Sequence, residues 1–402
     1  MSLSVTAPRA GREAGKGTLP APFAQACEWQ SLGKFHRAAN QYIEILRSQP
    51  GTAPVYNNLG NCFRSIGQFE KAIRCYDQAL ALEPGRSSSR LNRGLAKLSL
   101  NQYRDAWLDY EARLEVISFR QDLLEIPDRR WQGQGLGKDG TLYLYGNQGL
   151  GDELQCLRFV PIAAARVDHV VLELQAPMVS LSSQLPDNVR VIVRGEKVPP
   201  FHQWAELFSL PGILDIGIDD LPAPVRPHYQ VDGRVKSAID LSRNAFPEKL
   251  HVGLVWSGSP DNNLNTIRAC GLQHLEPLME LNHCRFHSLQ MGRPQGEITR
   301  RGLSGRIEDL SPLLTDFAAT ATAVDALDLV ITTDTSVPHL AGTLGAETWL
   351  MLHQPADWRW GQEGQTSAWY PSIRLFRQER MRDWVPVVDQ VRNSLLERGQ
   401  TQ

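Results

Sequence analysis

The chain has 402 residues, a formal net charge of −2, and 42% hydrophobic against 21% charged residues, the balance of a globular protein with room for two or three domains. Near-neutrality excludes a global electrostatic footprint for nucleic acid, and no run reaches the roughly 18 apolar residues of a bilayer span. Residues 1–18, rich in Ala, Gly, Arg and Pro, read as a disordered lead-in rather than an apolar signal core, so a cytoplasmic location is expected.

The next segment, 19–118, repeats at an interval of 34 residues. Gly33, Gly67 and Asn101 share one column, as do Ala38, Ala72 and Ala106, then Tyr42, Tyr76 and Tyr110, then Leu46, Leu80 and Leu114, and finally Phe35, Phe69 and Tyr103. Pro50 and Pro84 close the first two units, and Ala26, Gly60 and Gly94 mark a small residue in the first helix of each. The spacing predicts three helical hairpins. A small residue lets paired helices approach, the alanine packs against it, the tyrosine fills the gap to the next unit, and Gly or Asn makes the turn. These columns resemble the tetratricopeptide repeat. The resemblance implies an α-solenoid whose concave face takes a peptide or partner protein.

Beyond Arg120 short apolar runs alternate with helical stretches, the pattern of α/β units with parallel sheets. Residues 119–140, with Pro127, Gly133, Gly135 and Gly137, read as a linker. The strand 141–145 runs into Gly146, Gly149 and Gly151, then into a helical pattern over 153–166, with further strands at 169–174 and 189–193. A second unit begins at the strand 251–256, continues through a helix at 272–281 and strands at 285–290, 329–333 and 347–352, and ends with an amphipathic closing helix from Trp384 to Leu396. Two Rossmann-like domains, 141–245 and 246–402 with a hinge near 240–249, are therefore expected to enclose a cleft.

The glycine spacing Gly146-x-x-Gly149-x-Gly151 is not the dinucleotide fingerprint, and no G-x-x-x-x-G-K-[ST] occurs, so a dehydrogenase and a P-loop NTPase are both disfavoured. Asp152, at a helix start, reads equally as a helix cap and as a functional carboxylate. Asp334, Thr335, Ser336 and His339 follow the most apolar strand and open a helix, where hydroxyls and free N–H groups suit a diphosphate. His283, Cys284 and His287 lie on a loop-to-strand segment without a spaced carboxylate and are not read as a metal site. The cysteines, Cys27, Cys62, Cys75, Cys156, Cys270 and Cys284, form no C-x-x-C pair and are read as reduced structural thiols. The tryptophans of the C-terminal stretch are assigned mainly to packing.

Gly149 to Asp152 with Gln155, 253–258, 316–321, and 328–331 leading to Asp334-Thr335-Ser336-Val337-Pro338-His339, together with Trp358-Arg359-Trp360 and 369–378, are similar to bacterial tetratricopeptide-containing glycosyltransferases. Their catalytic half resembles the ADP-heptose:lipopolysaccharide heptosyltransferases, and repeats joined to such a half also resemble the O-linked N-acetylglucosamine transferases. The resemblance implies a GT-B fold and inverting transfer from a nucleotide sugar to a hydroxyl. Asp152 is implied as base, with Gly149, Gly151 and Gln155 forming the acceptor-side loop. Ser257, Gly258, Gln290, Asp334, Thr335, Ser336 and His339 are implied on the donor side. The heptosyltransferases carry a lysine in the loop after the first C-domain strand, where Arg268 is the sole cation between 261 and 270. Arg268 is either a phosphate-facing charge or a solvated loop charge. No Asp-x-Asp metal motif is present, and neither a metal nor another cofactor is expected. A protein acceptor such as flagellin is the first expectation. A glycan or lipid-linked acceptor, and a repeat scaffold or chaperone without turnover, are the alternatives.

Overall fold

The computed structural model describes residues 21–116, 121–146, 148–182, 185–261 and 264–400; the expected lead-in at 1–18 lies outside them. The N-terminal part forms three helical hairpins from α1 (Ala21–Ser31), α2 (Phe35–Ser48), α3 (Ala53–Ser65), α4 (Phe69–Leu82), α5 (Ser87–Ser99) and α6 (Tyr103–Tyr110). The turn column behaves as its chemistry dictates: Gly33, Gly67 and Asn101 hold φ of 72°, 77° and 60°, the left-handed region open to Gly and Asn. The small-residue column permits close approach, since a Cβ on Gly60 would lie 2.5 Å from Tyr76 Cε1. Tyr76 lies over the glycine of its own hairpin and also packs with Ala96 of the next unit, as Tyr42 packs with Val55, Leu59 and Cys62, so the tyrosine column both locks each pair and fills the gap beyond it. Polar contacts add to the joint between units, with Ser89 Oγ and Asn92 Nδ2 donating to Asn57 Oδ1 at 3.0 and 3.2 Å.

Two parallel sheets follow. The first, in the order β3–β2–β1–β4, comprises β1 (Thr141–Tyr145), β2 (His169–Leu174), β3 (Val189–Val193) and β4 (Gln203–Glu206). The second runs β10–β9–β8–β5–β6–β7, from β5 (Leu250–Val255), β6 (Cys284–Ser288), β7 (Ile307–Asp309), β8 (Leu329–Thr333), β9 (Thr348–Leu352) and β10 (Ile373–Arg377). β5 and β8 are buried along their whole length, which explains their unbroken apolar reading. β4 and β7 escape sequence reading because they are four and three residues long and contain charged or polar positions. The architecture is an α-solenoid followed by two Rossmann-like units, the GT-B arrangement expected from the sequence. In each sheet the strand order reverses at one place, between β1 and β4 and between β5 and β8, and ligands of such sheets bind beyond the carboxyl ends of the strands there.

The join between the halves differs from the sequence reading. Residues up to Ala245 belong to helix α8 (Gly233–Ala245), and the chain crosses through 221–232, where Pro222, Pro224 and Pro227 suppress regular structure. Asp232 caps the helix, accepting from Arg234 and Val235 N–H, and Arg243 pairs with Asp328 of the second half at 3.0 Å. The last helix, Val385–Gln400, buries Val387, Val391 and Leu395 in the core that also holds Phe286 and Trp349.

The third hairpin is fused to the α/β part. Tyr103, Trp107 and Tyr110 of α6 pack edge to face against Trp358, and Tyr103 also packs against Trp369. Trp369 Nε1 donates to Tyr103 Oη and Trp107 Nε1 to Ile216 O, both at 2.8 Å. The assignment of the tryptophans to packing therefore holds at these two positions.

Candidate functional site

A cleft of about 1010 Å³ lies where the two topological switch points face each other. On one side, α7 (Leu150–Cys156) leaves β1 through the glycine turn. On the other, α10 (Val337–Leu344) leaves β8, following α9 (Phe317–Ala326) in the chain. The N-terminal turns of α7 and α10 meet: a Cβ on Gly151 would lie 2.7 Å from His339 Cδ2 and 3.3 Å from Ser336 Cα. Only a glycine at 151 allows that approach.

Asp152 lies in the first turn of α7 and is 5% exposed. Its Oδ2 accepts Gly149 N–H at 2.9 Å and its Oδ1 accepts from Arg359 Nη2 at 2.6 Å. The cap bond does not use up the carboxylate, since it has about four lone-pair sites and two are used. Gln155 lies beneath the cleft, fully buried, and accepts Arg359 Nε at 2.7 Å. It lies on α7 rather than on the expected acceptor-side loop, one turn beyond Asp152 on the same helix face, where Arg359 bonds both side chains and covers it.

On the opposite side, Ser257 and Gly258 follow β5. Gln290 does not face the cleft with a free amide. Its Oε1 accepts Trp256 and Ser257 N–H at 3.0 and 2.9 Å, and its Nε2 donates to Ser257 O and Met291 O, both at 2.9 Å. Gln290 therefore shapes the loop. Asn265 Oδ1 accepts Gly258 N–H at 2.8 Å and completes the loop's support. Thr335 Oγ1 accepts Val337 N–H at 3.2 Å, so part of the helix end is self-capped. His339 Nδ1 lies 3.1 Å from Tyr370 Oη, and its ring packs against Trp360.

Asp334 is 5% exposed; Trp360 Nε1 donates to its Oδ1 at 3.0 Å. Arg268 is buried, not a solvated loop charge, and its Nε sits 3.2 Å from Asp334 Oδ2 without the angles of a hydrogen bond. Arg268 Nη2 donates to Asp357 Oδ2 at 2.8 Å, and Asp357 Oδ1 accepts from Arg359 Nη1 at 2.8 Å. The result is a row of alternating charges, Asp152–Arg359–Asp357–Arg268–Asp334, that runs from one half to the other. Arg359 also lies over Trp358, 4.5 Å from its ring.

Burial sets how these groups hold protons. It raises Asp334 above the usual carboxylate range, with Arg268 opposing. For Asp357 burial acts the same way, but Arg359 and Arg268 outweigh it and hold the carboxyl below that range. Burial, and then Arg359, keep His339 far below the usual imidazole value, so the ring is neutral. Burial also lowers His353 to about 3.

Asp152, Gly149, Gly151, Ser257, Gly258, Arg268, Gln290, Asp334, Thr335, Ser336 and His339 all line the cleft. The lining residues given no role from the sequence include Asp357, Arg359 and Arg113. Arg113 follows the third hairpin and pairs with Glu111 and with buried Glu206 at the end of β4; Ser209 Oγ accepts from it at 2.8 Å. The motif Trp358-Arg359-Trp360 was visible, but only as a stretch of resemblance. Among the described residues no group of three or more His, Cys, Asp or Glu is arranged to hold a metal ion. His287 stacks on His251 in the core, and the cysteines are free thiols. No described helix is long and apolar enough to cross a membrane.

Residues 53–86 match the tetratricopeptide repeat family. Among solved structures the chain is similar to the Escherichia coli ADP-heptose LPS heptosyltransferase II, at 15% identity over 64% of this chain and 99% of that one, with a TM-score of 0.46. It is also similar to the second TPR domain of human RPAP3 in complex with an HSP70 peptide, at 22% identity over 27% of this chain and 90% of that one, with a TM-score of 0.23. A third similarity is to the Yersinia enterocolitica type III secretion chaperone SycD in complex with a peptide of the translocator YopD, at 17% identity over 27% and 82%, with a TM-score of 0.24. No curated protein matches the sequence.

Proposed function

We propose that the protein is an inverting glycosyltransferase that moves a sugar from a nucleotide sugar to a hydroxyl of a protein recruited by the repeats. The observation that carries this reading is the meeting of α7 and α10 at two facing switch points, with Asp152 on one side and Asp334 and Arg268 on the other. In this reading the acceptor hydroxyl lies at Asp152, which takes its proton as the oxygen bonds to the anomeric carbon. The bond from that carbon to the diphosphate breaks, and its electron pair leaves with the phosphate oxygen. The N-terminus of α10 and Arg268 offset the charge of the departing diphosphate, a role that requires no metal. Fusion of the third hairpin to the cleft through Trp358 and Trp369 supports an acceptor held by the repeats, because it fixes the distance from the solenoid to Asp152.

Calorimetry with ADP, UDP and GDP and their sugar conjugates, in EDTA, identifies the donor. With it, Asp152→Asn is expected to lower transfer by about 10²–10⁴-fold while leaving folding intact. Turnover at the normal rate would exclude Asp152 as base. Mass spectrometry of proteins from a strain lacking the gene tests for a protein acceptor; an unchanged protein glycosylation pattern refutes that part.

A further inference from the structure

We propose that Asp334 takes up a proton when a nucleoside diphosphate binds and then serves as a neutral hydrogen-bond donor to a phosphate oxygen. The inference rests on the glycosyl-transfer reading and concerns the same cleft. Each buried cation that lines it is already committed to carboxylates: Arg113 to Glu111 and Glu206, Arg359 to Asp152 and Asp357, and Arg268 to Asp357 and Asp334. Arg293, also on the lining, lies exposed at the rim. An incoming diphosphate therefore meets no spare buried positive charge and must share Arg268 with two aspartates.

Those two aspartates are not equivalent. Asp357 keeps Arg359 when Arg268 turns to phosphate, whereas Asp334 keeps only the neutral indole N–H of Trp360. Its Oδ2 is buried without a hydrogen-bond partner, on a side chain that is 4% exposed and belongs to a residue lining the cleft. A carboxylate and a phosphate oxygen are both acceptors and repel; a protonated carboxyl donates to the same oxygen. The charged groups that act on Asp334 are Arg268, Asp357 and Arg359, with Asp152 reached through Arg359; His339 and His353 feel Asp357 and the same arginines. Of these, His339 is the other candidate to accept a proton, but its Nδ1 is engaged with Tyr370 and three arginines lie near it. A neutral Asp334 also stabilises the leaving diphosphate as it gains the electron pair of the broken bond.

The test is calorimetry of the full chain with ADP, UDP and GDP in buffers of differing ionisation enthalpy, between pH 6 and pH 8. The wild type is expected to take up close to one proton, and its Kd to rise about tenfold per pH unit between the free and bound pKa of Asp334. Asp334→Asn, a neutral isostere, is expected to bind without proton uptake and to bind more tightly than wild type at pH 8. The wild-type proton count needs no variant. Binding without uptake overturns the proposal, as does uptake that persists in Asp334→Asn or that disappears in His339→Gln alone. Failure of all three diphosphates to bind instead refutes the glycosyl-transfer reading beneath it.

Discussion

Replacing Arg359 by methionine tests the row of charges directly. The side chain is 5% exposed and makes three short hydrogen bonds, at 2.6 Å to Asp152, 2.8 Å to Asp357 and 2.7 Å to Gln155. Hydrogen bonds to charged groups contribute about 1.5–3 kcal/mol each, but the losses do not simply add here. Asp357 keeps Arg268 and Asp152 keeps Gly149 N–H, so the cost is that of breaking one buried ion pair, about 3–5 kcal/mol. Thermal unfolding is expected to drop by on the order of 10 °C. Pairing Arg359→Met with Asp152→Asn in a double-mutant cycle isolates their interaction, expected at about 1–3 kcal/mol. The deficit has a definite pH dependence. The arginines hold Asp357 below its unfolded value of 3.8, so its contribution is present above that value and lost as pH falls through the folded one. In Arg359→Met the Asp357 carboxyl loses the stronger of its two arginines, rises, and takes a proton at higher pH than in wild type, so the gap to wild type narrows as pH falls. A variant within about 1 kcal/mol of wild type at pH 7, or a gap that widens with acid, refutes the reasoning.

Three glycines offer further tests. Gly151→Ala places a Cβ 2.7 Å from His339, which Tyr370 and Trp360 hold in place, so α7 and α10 must part. A loss of about 1–3 kcal/mol in denaturant unfolding is expected, with transfer falling by up to about 10²-fold as Asp152 shifts; a wild-type rate would contradict the close approach. Gly94→Ala sets a Cβ 2.8 Å from Tyr110 N, a backbone atom that cannot rotate away, whereas Gly85→Ala meets nothing within 4 Å. The first is expected to cost about 1–3 kcal/mol and the second less than about 0.5 kcal/mol; equal stabilities would contradict the packing of the third hairpin.

The repeat period, the parallel strands and the residues at the ends of β1, β5 and β8 were legible in the sequence because each is a local pattern. A left-handed turn needs Gly or Asn where it occurs, and a doubly covered strand needs an unbroken apolar run. Asp152 and Asp334 stand out for the same reason, each just beyond such a run. Arg359 does not, because it meets Asp152 from 207 positions away, and the carboxylate near it in sequence, Asp357, signals only a local pair. Gln155 and Gln290 were found beside the right strands, yet which way their amides point depends on helix rotation and on backbone N–H groups from a different strand. Arg268 was recognised as a cation, but only tertiary packing buried it between two aspartates. Apart from short strands such as β4 and β7, the elements and the strand ends where chemistry can occur follow from short-range sterics and hydrophobic period, which the chain order contains. The tertiary structure decided which charges neutralise one another and which group is left to take a proton, because Coulomb energy depends on distances and burial that the chain order does not contain.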